Sequence, residues 1–309
     1  MNPLFLLIQT LWKRNCLRNM NLCDIRTIRQ IMDIYGLHFR KEFGQNFLTN
    51  NMVVEDIAEY CCEGVSKTIL EIGPGIGVLT KELCLRYPNV VALEIDKGLM
   101  PVLQYTLNEF SNVKVHNQDV MEADLDALLS PYLEHGGISV CANLPYYITT
   151  PILMKLLESR FPFEYITVMV QAEVADRLCA KAGNKTYGAI TTSIAYYGEA
   201  TRLFTVPAND FVPAPKVNSA VVRIRLYGEN KPYRPKNEAL FFRTVKVAFE
   251  QRRKTLANAL SAGFGELTKE QIVQIIADCG HPADVRGERL DVAQFVALSD
   301  AIGATIAAK

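Results

Sequence analysis

Thr68-Ile69-Leu70-Glu71-Ile72-Gly73-Pro74-Gly75-Ile76-Gly77-Val78-Leu79-Thr80 is the stretch that decides the fold. An apolar strand runs into a glycine-rich turn, and Val78 to Leu85 reads as a helix. Glycines allow positive φ and a close approach of the backbone to a ligand. A dinucleotide fingerprint requires G-x-G-x-x-G. Here the third glycine falls one place early, at Gly77, and Val78 holds the expected site. The helix N-terminus therefore need not cradle a pyrophosphate, which disfavours a nicotinamide dehydrogenase.

The spacing Glu71-x-Gly73-x-Gly75-x-Gly77 instead fits a nucleoside that carries an amino-acid tail and no phosphate, as in S-adenosylmethionine. Three further strands end in polar groups. Asn89-Val90-Val91-Ala92-Leu93-Glu94-Ile95-Asp96 places Glu94 21 residues past Gly73, where a carboxylate accepts both ribose hydroxyls. Asp96 competes for that role, but Glu94 sits nearer the strand tip. Val113 to Asp119 ends in Asp119, an acceptor for an adenine amine. The apolar run Ile138-Ser139-Val140-Cys141-Ala142 ends in Asn143-Leu144-Pro145-Tyr146. Asn143 offers a carboxamide oxygen, Leu144 a backbone carbonyl and Tyr146 a stacking face, while Pro145 stiffens the turn. That set suits the exocyclic amine of a planar base. In open α/β sheets ligands bind outside the carboxyl ends of the strands, so four polar strand ends on one edge mark a site.

Strands near 68–72, 89–95, 113–118, 138–142 and 166–171 alternate with helical stretches such as 51–62, 97–110 and 151–159. This alternation predicts an α/β fold with a largely parallel sheet and helices on both faces. Residues 219–226 read as a final strand, Lys231-Pro232-Tyr233-Arg234-Pro235-Lys236 breaks the chain, and helices are expected at 238–260, 268–279 and 291–302.

The chain resembles the S-adenosylmethionine-dependent rRNA adenine N6-dimethyltransferases, and among them the housekeeping enzymes of small-subunit (16S) rRNA. Five landmarks in order carry the resemblance. They are Lys41-Glu42-Phe43-Gly44-Gln45-Asn46-Phe47-Leu48, Glu71-Ile72-Gly73-Pro74-Gly75-Ile76-Gly77, Asn143-Leu144-Pro145-Tyr146, the Asn209–Val222 segment with Phe211-Val212-Pro213-Ala214-Pro215-Lys216-Val217-Asn218-Ser219, and Phe249-Glu250-Gln251-Arg252-Arg253-Lys254-Thr255-Leu256-Ala257-Asn258. It covers roughly Asn21 to the C-terminus. It implies a Rossmann-like methyltransferase fold with a mostly parallel seven-stranded sheet, strand 219–226 antiparallel in it, and a smaller all-helical C-terminal domain. The expected organisation is an extension and lead-in over 1–37, a cofactor-binding catalytic domain over 38–230 and a helical RNA-binding domain over 231–309. For the cofactor it implies Asn46, Leu48, Gly73, Gly75, Glu94, Asp119 and Asn143. For the target base it implies Asn143, Leu144, Pro145 and Tyr146, with Phe211 as a second stacking face. The implied reaction is dimethylation of the N6 amines of two adjacent adenosines in the 3′-terminal hairpin loop of 16S rRNA, within the small subunit or its late precursor. The implied enzyme is a monomer. Alternatives are a large-subunit rRNA methyltransferase of the macrolide-resistance type, or a non-catalytic assembly or RNA-binding factor of the same fold. The long basic-then-helical C-terminal region favours the small-subunit enzyme.

The formal net charge of the 309 residues is zero, which conceals segregation. Residues 1–48 carry +4, 49–201 carry −9, 202–260 carry +8 and 261–309 carry −3. The basic block, including Arg223, Arg225, Arg252, Arg253 and Lys254, is the footprint expected for a phosphate backbone. Eight cysteines without C-x-x-C pairs and four scattered histidines predict no metal site and a reducing cytoplasm. The apolar run from Met1 to Leu11 precedes its positive charges and is too short to span a bilayer. Residues 1–19 are expected to be a start-site overcall or a dispensable extension.

Overall fold

The computed structural model describes residues 21–38 and 45–308, so the readings of residues 1–19 and of Lys41 to Gly44 fall outside the described residues. The first described helix, α1 (Ile25–Ile34), is capped by the Asp24 carboxylate, which accepts from the Thr27 N–H. Strand β1 (Phe47–Leu48) follows, then α2 (Asn51–Tyr60), whose N-cap is Asn50. Val54, Ile57 and Ala58 on one face of α2, and Cys61 at its C-cap, are buried.

Parallel strands build the sheet. They are β2 (Ser66–Ile72), β3 (Asn89–Glu94), β4 (Val113–Asn117), β5 (Gly137–Asn143) and β6 (Phe163–Gln171), each paired parallel to its neighbours. With β7 (Gly198–Val206) and β9 (Ser219–Leu226) they form a seven-stranded sheet of order β4-β3-β2-β5-β6-β9-β7. The two-residue β8 (Phe211–Val212) pairs antiparallel with β1, Leu48 opposite Phe211. Ile69, Leu70, Val91, Val140, Cys141, Ile166 and Val168 are wholly buried on these strands, as expected where helices cover both faces of a parallel sheet. The chain moves outward from β2 through β3 to β4, then returns to place β5 on the other side of β2. That reversal opens a crevice at the carboxyl ends of β2 and β5.

Between β2 and β5 run α3 (Val78–Arg86), α4 (Met100–Thr106) and α5 (Leu125–Leu129); α6 (Thr149–Glu158) links β5 to β6, and α7 (Ala172–Leu178) and α8 (Ala189–Tyr197) precede β7. Four helices close the chain: α9 (Glu238–Glu250), α10 (Leu256–Gly263), α11 (Lys269–Asp278) and α12 (Val292–Ala307). The stretch 238–260, expected as one helix, is two, because Gln251 leaves helical geometry and Thr255 caps a new helix by accepting from the Asn258 N–H. Phe241, Phe264 and Phe295 are fully buried at the centre of this helical core. No described helix is long and apolar enough to cross a membrane.

By compactness the described residues form two units, drawn differently from borders at 37/38 and 230/231. One holds the chain up to Gln171 together with Phe204–Val221, and the other holds Ala172–Leu203 together with the chain from Val222.

Strand β7 depends on Gly198. A Cβ there would stand 2.3 Å from the Arg225 carbonyl oxygen, a backbone atom that cannot step aside. Gly198→Ala should therefore destabilise by roughly 1–3 kcal/mol, the scale of overpacking. Gly188, whose added Cβ meets nothing within 4 Å, is the control. Urea unfolding of both variants checks this, and equal midpoints would contradict it.

Candidate active site

An open cleft of about 1080 Å³, its mouth included, lies at the carboxyl ends of β2, β3 and β5. Asn46, Leu48, Gly73, Gly75, Glu94, Asp119, Asn143, Leu144, Pro145 and Tyr146 all line it. Eleven of the site residues read from the sequence concern this pocket if Phe211 is counted with these ten, and only Phe211 is absent from the lining. Phe211 is 3% exposed and lies in β8, opposite Leu48 of β1.

The glycine turn is built by positive φ at Gly73, Gly75 and Gly77, of 71°, 62° and 91°. Gly77 caps α3 in the left-handed conformation and donates its N–H to the Pro74 carbonyl at 2.9 Å. The Thr106 hydroxyl donates to the Ile76 carbonyl at 2.9 Å and ties the turn to α4. A Cβ on Gly73 would meet nothing within 4 Å, so the bare backbone faces open space. At Gly75 a Cβ would come within 2.9 Å of the Phe47 ring, so this glycine lets β1 lie close.

Glu94 is 4% exposed. Its carboxylate accepts from the Gly75 N–H at 3.0 Å and the Asp96 N–H at 2.8 Å. Burial pushes its pKa up, and those two N–H donors oppose the shift. Asp96 has a different job. It accepts from the Gly98 N–H and from Gln45 Nε2 at 3.1 Å, capping the next turn and anchoring the Gln45-Asn46-Phe47 segment. Glu94 lines the cleft and Asp96 does not. Asp119 accepts from the Met121 N–H at 2.8 Å, which fixes one carboxylate oxygen.

Asn143 Nδ2 donates to the Asn46 carbonyl at 3.3 Å. One of the two amide N–H groups is thereby occupied, and the bond turns the carboxamide oxygen away from Asn46. Leu144 is buried, with its N–H donating to the Met169 carbonyl of β6 at 3.3 Å. Behind it the Pro145 carbonyl accepts from the Ile148 N–H at 3.2 Å and the Thr149 hydroxyl at 3.1 Å, closing the turn. The half-buried Tyr146 hydroxyl shares a 2.7 Å hydrogen bond with the Ser219 hydroxyl. Burial raises its pKa, and the Ser219 bond partly offsets that. The serine of the Phe211–Ser219 landmark thus orients the tyrosine ring.

Sequence reasoning did not assign a cleft role to Glu71, Gln118 or Tyr147, all of which line it. Glu71 is 1% exposed and its Oε2 has no hydrogen-bond partner. Burial drives its pKa to about 8, the nearby Thr80 hydroxyl pulls the other way, and the Glu94 charge adds to the rise. The signal was the acid that opens the glycine pattern, read only as spacing.

The predicted basic residues differ in their surroundings. Arg223 is half-buried, and Arg225 is exposed and paired with Glu199 at 3.1 Å. Arg252 is a brace: it donates to the carbonyls of Lys185 at 2.6 Å and Tyr187 at 2.9 Å and pairs with Glu288 at 3.7 Å. Arg253 and Lys254 are exposed beside it. Gly183 N–H donates to the Glu288 carbonyl and Leu256 N–H to the Val285 carbonyl, both at 2.7 Å. Three loops therefore meet and add the exposed cations Lys181, Lys185, Arg286 and Arg289. Sequence reasoning missed these because each stands in a segment of net negative charge. No metal-binding cluster occurs among the described residues, and the seven described cysteines are free.

The family model described as ribosomal RNA adenine dimethylase matches residues 36–298. This chain belongs to that family. It is 43% identical over 277 residues to the ribosomal RNA small subunit methyltransferase A of Geobacillus sp. (strain WCH70), a match covering 89% of this chain and 95% of that one. The fold matches a dimethyladenosine transferase from Plasmodium falciparum with a TM-score of 0.69 at 22% identity, over 82% of this chain and 95% of the other. It also matches the 23S rRNA methyltransferase ErmE with a TM-score of 0.63 at 23% identity, over 84% and 100%. At these identities the two structures establish the Rossmann-like methyltransferase fold. Membership makes the chain a methyltransferase acting on ribosomal RNA adenine, with S-adenosylmethionine as methyl donor. The cleft fits that donor: a bare glycine backbone for close approach, buried carboxyl groups for hydroxyl and cationic groups, and no helix end required to hold a phosphate.

Glu71 sets a pH limit on stability. Its pKa is about 8 in the folded chain against an ordinary 4.5. Between those values the folded state binds more protons than the unfolded one, so stability falls as pH rises through the window. Glu71→Gln should remove that slope, about 1.4 kcal/mol per pH unit at most. Urea unfolding of both proteins at about pH 5 and pH 8 tests it, and parallel profiles would contradict it.

Proposed function

We propose that the chain dimethylates the N6 amines of two adjacent adenosines in the 3′-terminal hairpin loop of 16S rRNA, acting as a cytoplasmic monomer on the small subunit or its late precursor during ribosome biogenesis. The observation that carries the reading is the orientation of the Asn143 amide: one N–H is held by the Asn46 carbonyl, which turns the oxygen away from Asn46 as the offered acceptor. The small-subunit target is supported by the relative from Geobacillus sp., which matches across nearly its full length.

Asn46, Leu48, Gly73, Gly75, Glu94 and Asp119 would hold S-adenosylmethionine, with Glu94 accepting from the ribose hydroxyls and Asp119 from the adenine amine. A carboxylate has about four lone-pair sites, so the two N–H bonds to Glu94 leave it capacity. When bound, S-adenosylmethionine supplies an electrophilic methyl group on a sulfonium. The target amine is a weak nucleophile because its lone pair is delocalised into the purine ring. The Asn143 oxygen and the Leu144 carbonyl accept its two hydrogens and favour a pyramidal nitrogen. Tyr146, braced by Ser219, stacks on the extruded base. Orientation supplies much of the acceleration, and the product cation returns its proton to solvent. Phe211, 3% exposed here, would serve as a second stacking face.

Residues 231–309, with the loops they brace, form the proposed RNA-binding part. Arg253 and Lys254 would contact phosphate, while Arg252 holds the loop at Lys185 and Tyr187. Joint replacement of Arg253 and Lys254 by Ala should lower the slope of log K against log salt by about 0.7–0.9 per lost contact. Arg252→Ala should instead lower stability by roughly 0.5–1.5 kcal/mol, the net scale of a partly exposed hydrogen bond. Salt-dependent binding to small-subunit particles and thermal unfolding separate the two, and an unchanged salt slope in the double variant would move the RNA surface elsewhere.

Single-turnover transfer from labelled S-adenosylmethionine to small-subunit particles lacking the modification, with nucleoside analysis, tests the function itself. Asn143→Ala should slow transfer by roughly 10²–10³-fold, the scale for a positioned hydrogen-bonding group at a reacting centre. Tyr146→Ala should be severe. Tyr146→Phe keeps the ring but loses the Ser219 bond and should cost up to about tenfold. Near-wild-type transfer by Asn143→Ala, or label outside adenosine, would contradict the reading.

A further inference from the structure

Tyr147 is the one large aromatic side chain of the cleft that the fold leaves in water. It is 62% exposed, yet it lines the same cleft as the half-buried Tyr146 beside it. Its backbone lies inside a turn closed by a hydrogen bond. Pro145 fixes one dihedral of the turn, and the Pro145 carbonyl accepts from the Ile148 N–H and the Thr149 hydroxyl just beyond it. The ring is therefore presented from a rigid turn at the rim, while Asn143 and Leu144 stand deeper, at half-buried and buried positions. Of the other lining residues only Ile95, at 49%, is a large exposed hydrophobic, and it stands at the end of β3, away from the Asn143 turn in sequence.

A base drawn out of its stack to reach Asn143 leaves the next base with one uncovered face. A tyrosine ring fixed at the rim, one residue beyond the ring that stacks on the target, has the chemistry to cover it. We propose that Tyr147 is the stacking platform for the nucleotide that flanks the target adenosine, and so positions the RNA strand for transfer. For tandem adenosines this flanking base is itself the other substrate. The inference rests on the rRNA reading given above. Tyr147 would be a substrate-binding residue with no part in holding the methyl donor, and its hydroxyl would be dispensable.

The test compares Tyr147→Phe, Tyr147→Leu and Tyr147→Ala with wild type, in kcat/KM for methyl transfer to unmodified small-subunit particles and in calorimetric affinity for S-adenosylmethionine. Loss of one base–aromatic stack corresponds to about a 5- to 150-fold fall. That fall is expected for Leu and Ala, while Phe stays within about twofold of wild type. Cofactor affinity should be unchanged in all three. Wild-type rates in the Leu and Ala variants overturn the platform. A Phe variant as slow as Ala assigns the effect to the hydroxyl and overturns stacking. Weakened cofactor binding places Tyr147 on the methyl donor and overturns it as well. A wild-type enzyme that leaves the particles unmethylated overturns the rRNA reading and this inference together, whereas a wild-type enzyme that methylates them alongside fully active variants overturns this inference alone.

Discussion

The Asn143 amide donates to the Asn46 carbonyl at 3.3 Å, and the chemistry of the cleft depends on that bond. A carboxamide offers a donor face and an acceptor face, and nothing in strand geometry chooses between them. The Asn46 carbonyl chooses. It can only accept, so the NH₂ turns toward it and the oxygen turns away. The bond spans 97 residues, from the segment before β1 to the tip of β5. That segment is itself anchored by Gln45 on Asp96 at the end of β3, so three strand ends are fixed relative to one another. A site of this kind is pre-organised by backbone and second-layer contacts, with little left to rotamer freedom.

Electrostatics divides the labour in a similar way. The cleft buries both Glu71 and Glu94; burial raises the cost of ionising each, and the Glu94 charge adds to the rise at Glu71. Glu94 meets that cost with two backbone N–H donors, so it is held in place as an acceptor. Glu71 has no such partner at Oε2 and holds its proton near neutral pH. Cations, by contrast, gather on loops around Arg252. There a guanidinium spent on two carbonyls shapes the surface on which its neighbours can meet phosphate.

The parallel core was legible because its strands are short apolar runs that end in turn residues, and β2 to β6 fall close to their expected places. Strand β7 was not, since its first five residues, Gly198-Glu199-Ala200-Thr201-Arg202, are small or polar at the sheet edge and leave only the short run Leu203-Phe204-Thr205-Val206 as a signal. The split at Gln251–Thr255 was hidden because the Gln251-Arg252-Arg253-Lys254 run has good helix formers and no Gly or Pro. At the site, the glycines, Glu94 and Asn143 were readable from position at strand ends. The Asn46 carbonyl, the Ser219 brace on Tyr146 and the bracing role of Arg252 were not, since each is a contact between residues at least 65 apart in sequence. The pairing that sets Phe211 of β8 opposite Leu48 of β1 is likewise one that no local pattern signals.

The central claim is that Asn143 presents its oxygen to the target amine. A structure of the protein with S-adenosylhomocysteine and an adenosine-containing RNA fragment of the hairpin tests it most directly. The account predicts adenine N6 within hydrogen-bond distance of Asn143 Oδ1 and of the Leu144 carbonyl, with Asn143 Nδ2 still on the Asn46 carbonyl. An amide turned the other way, with Nδ2 toward the base, or an adenine seated away from Asn143, would contradict it.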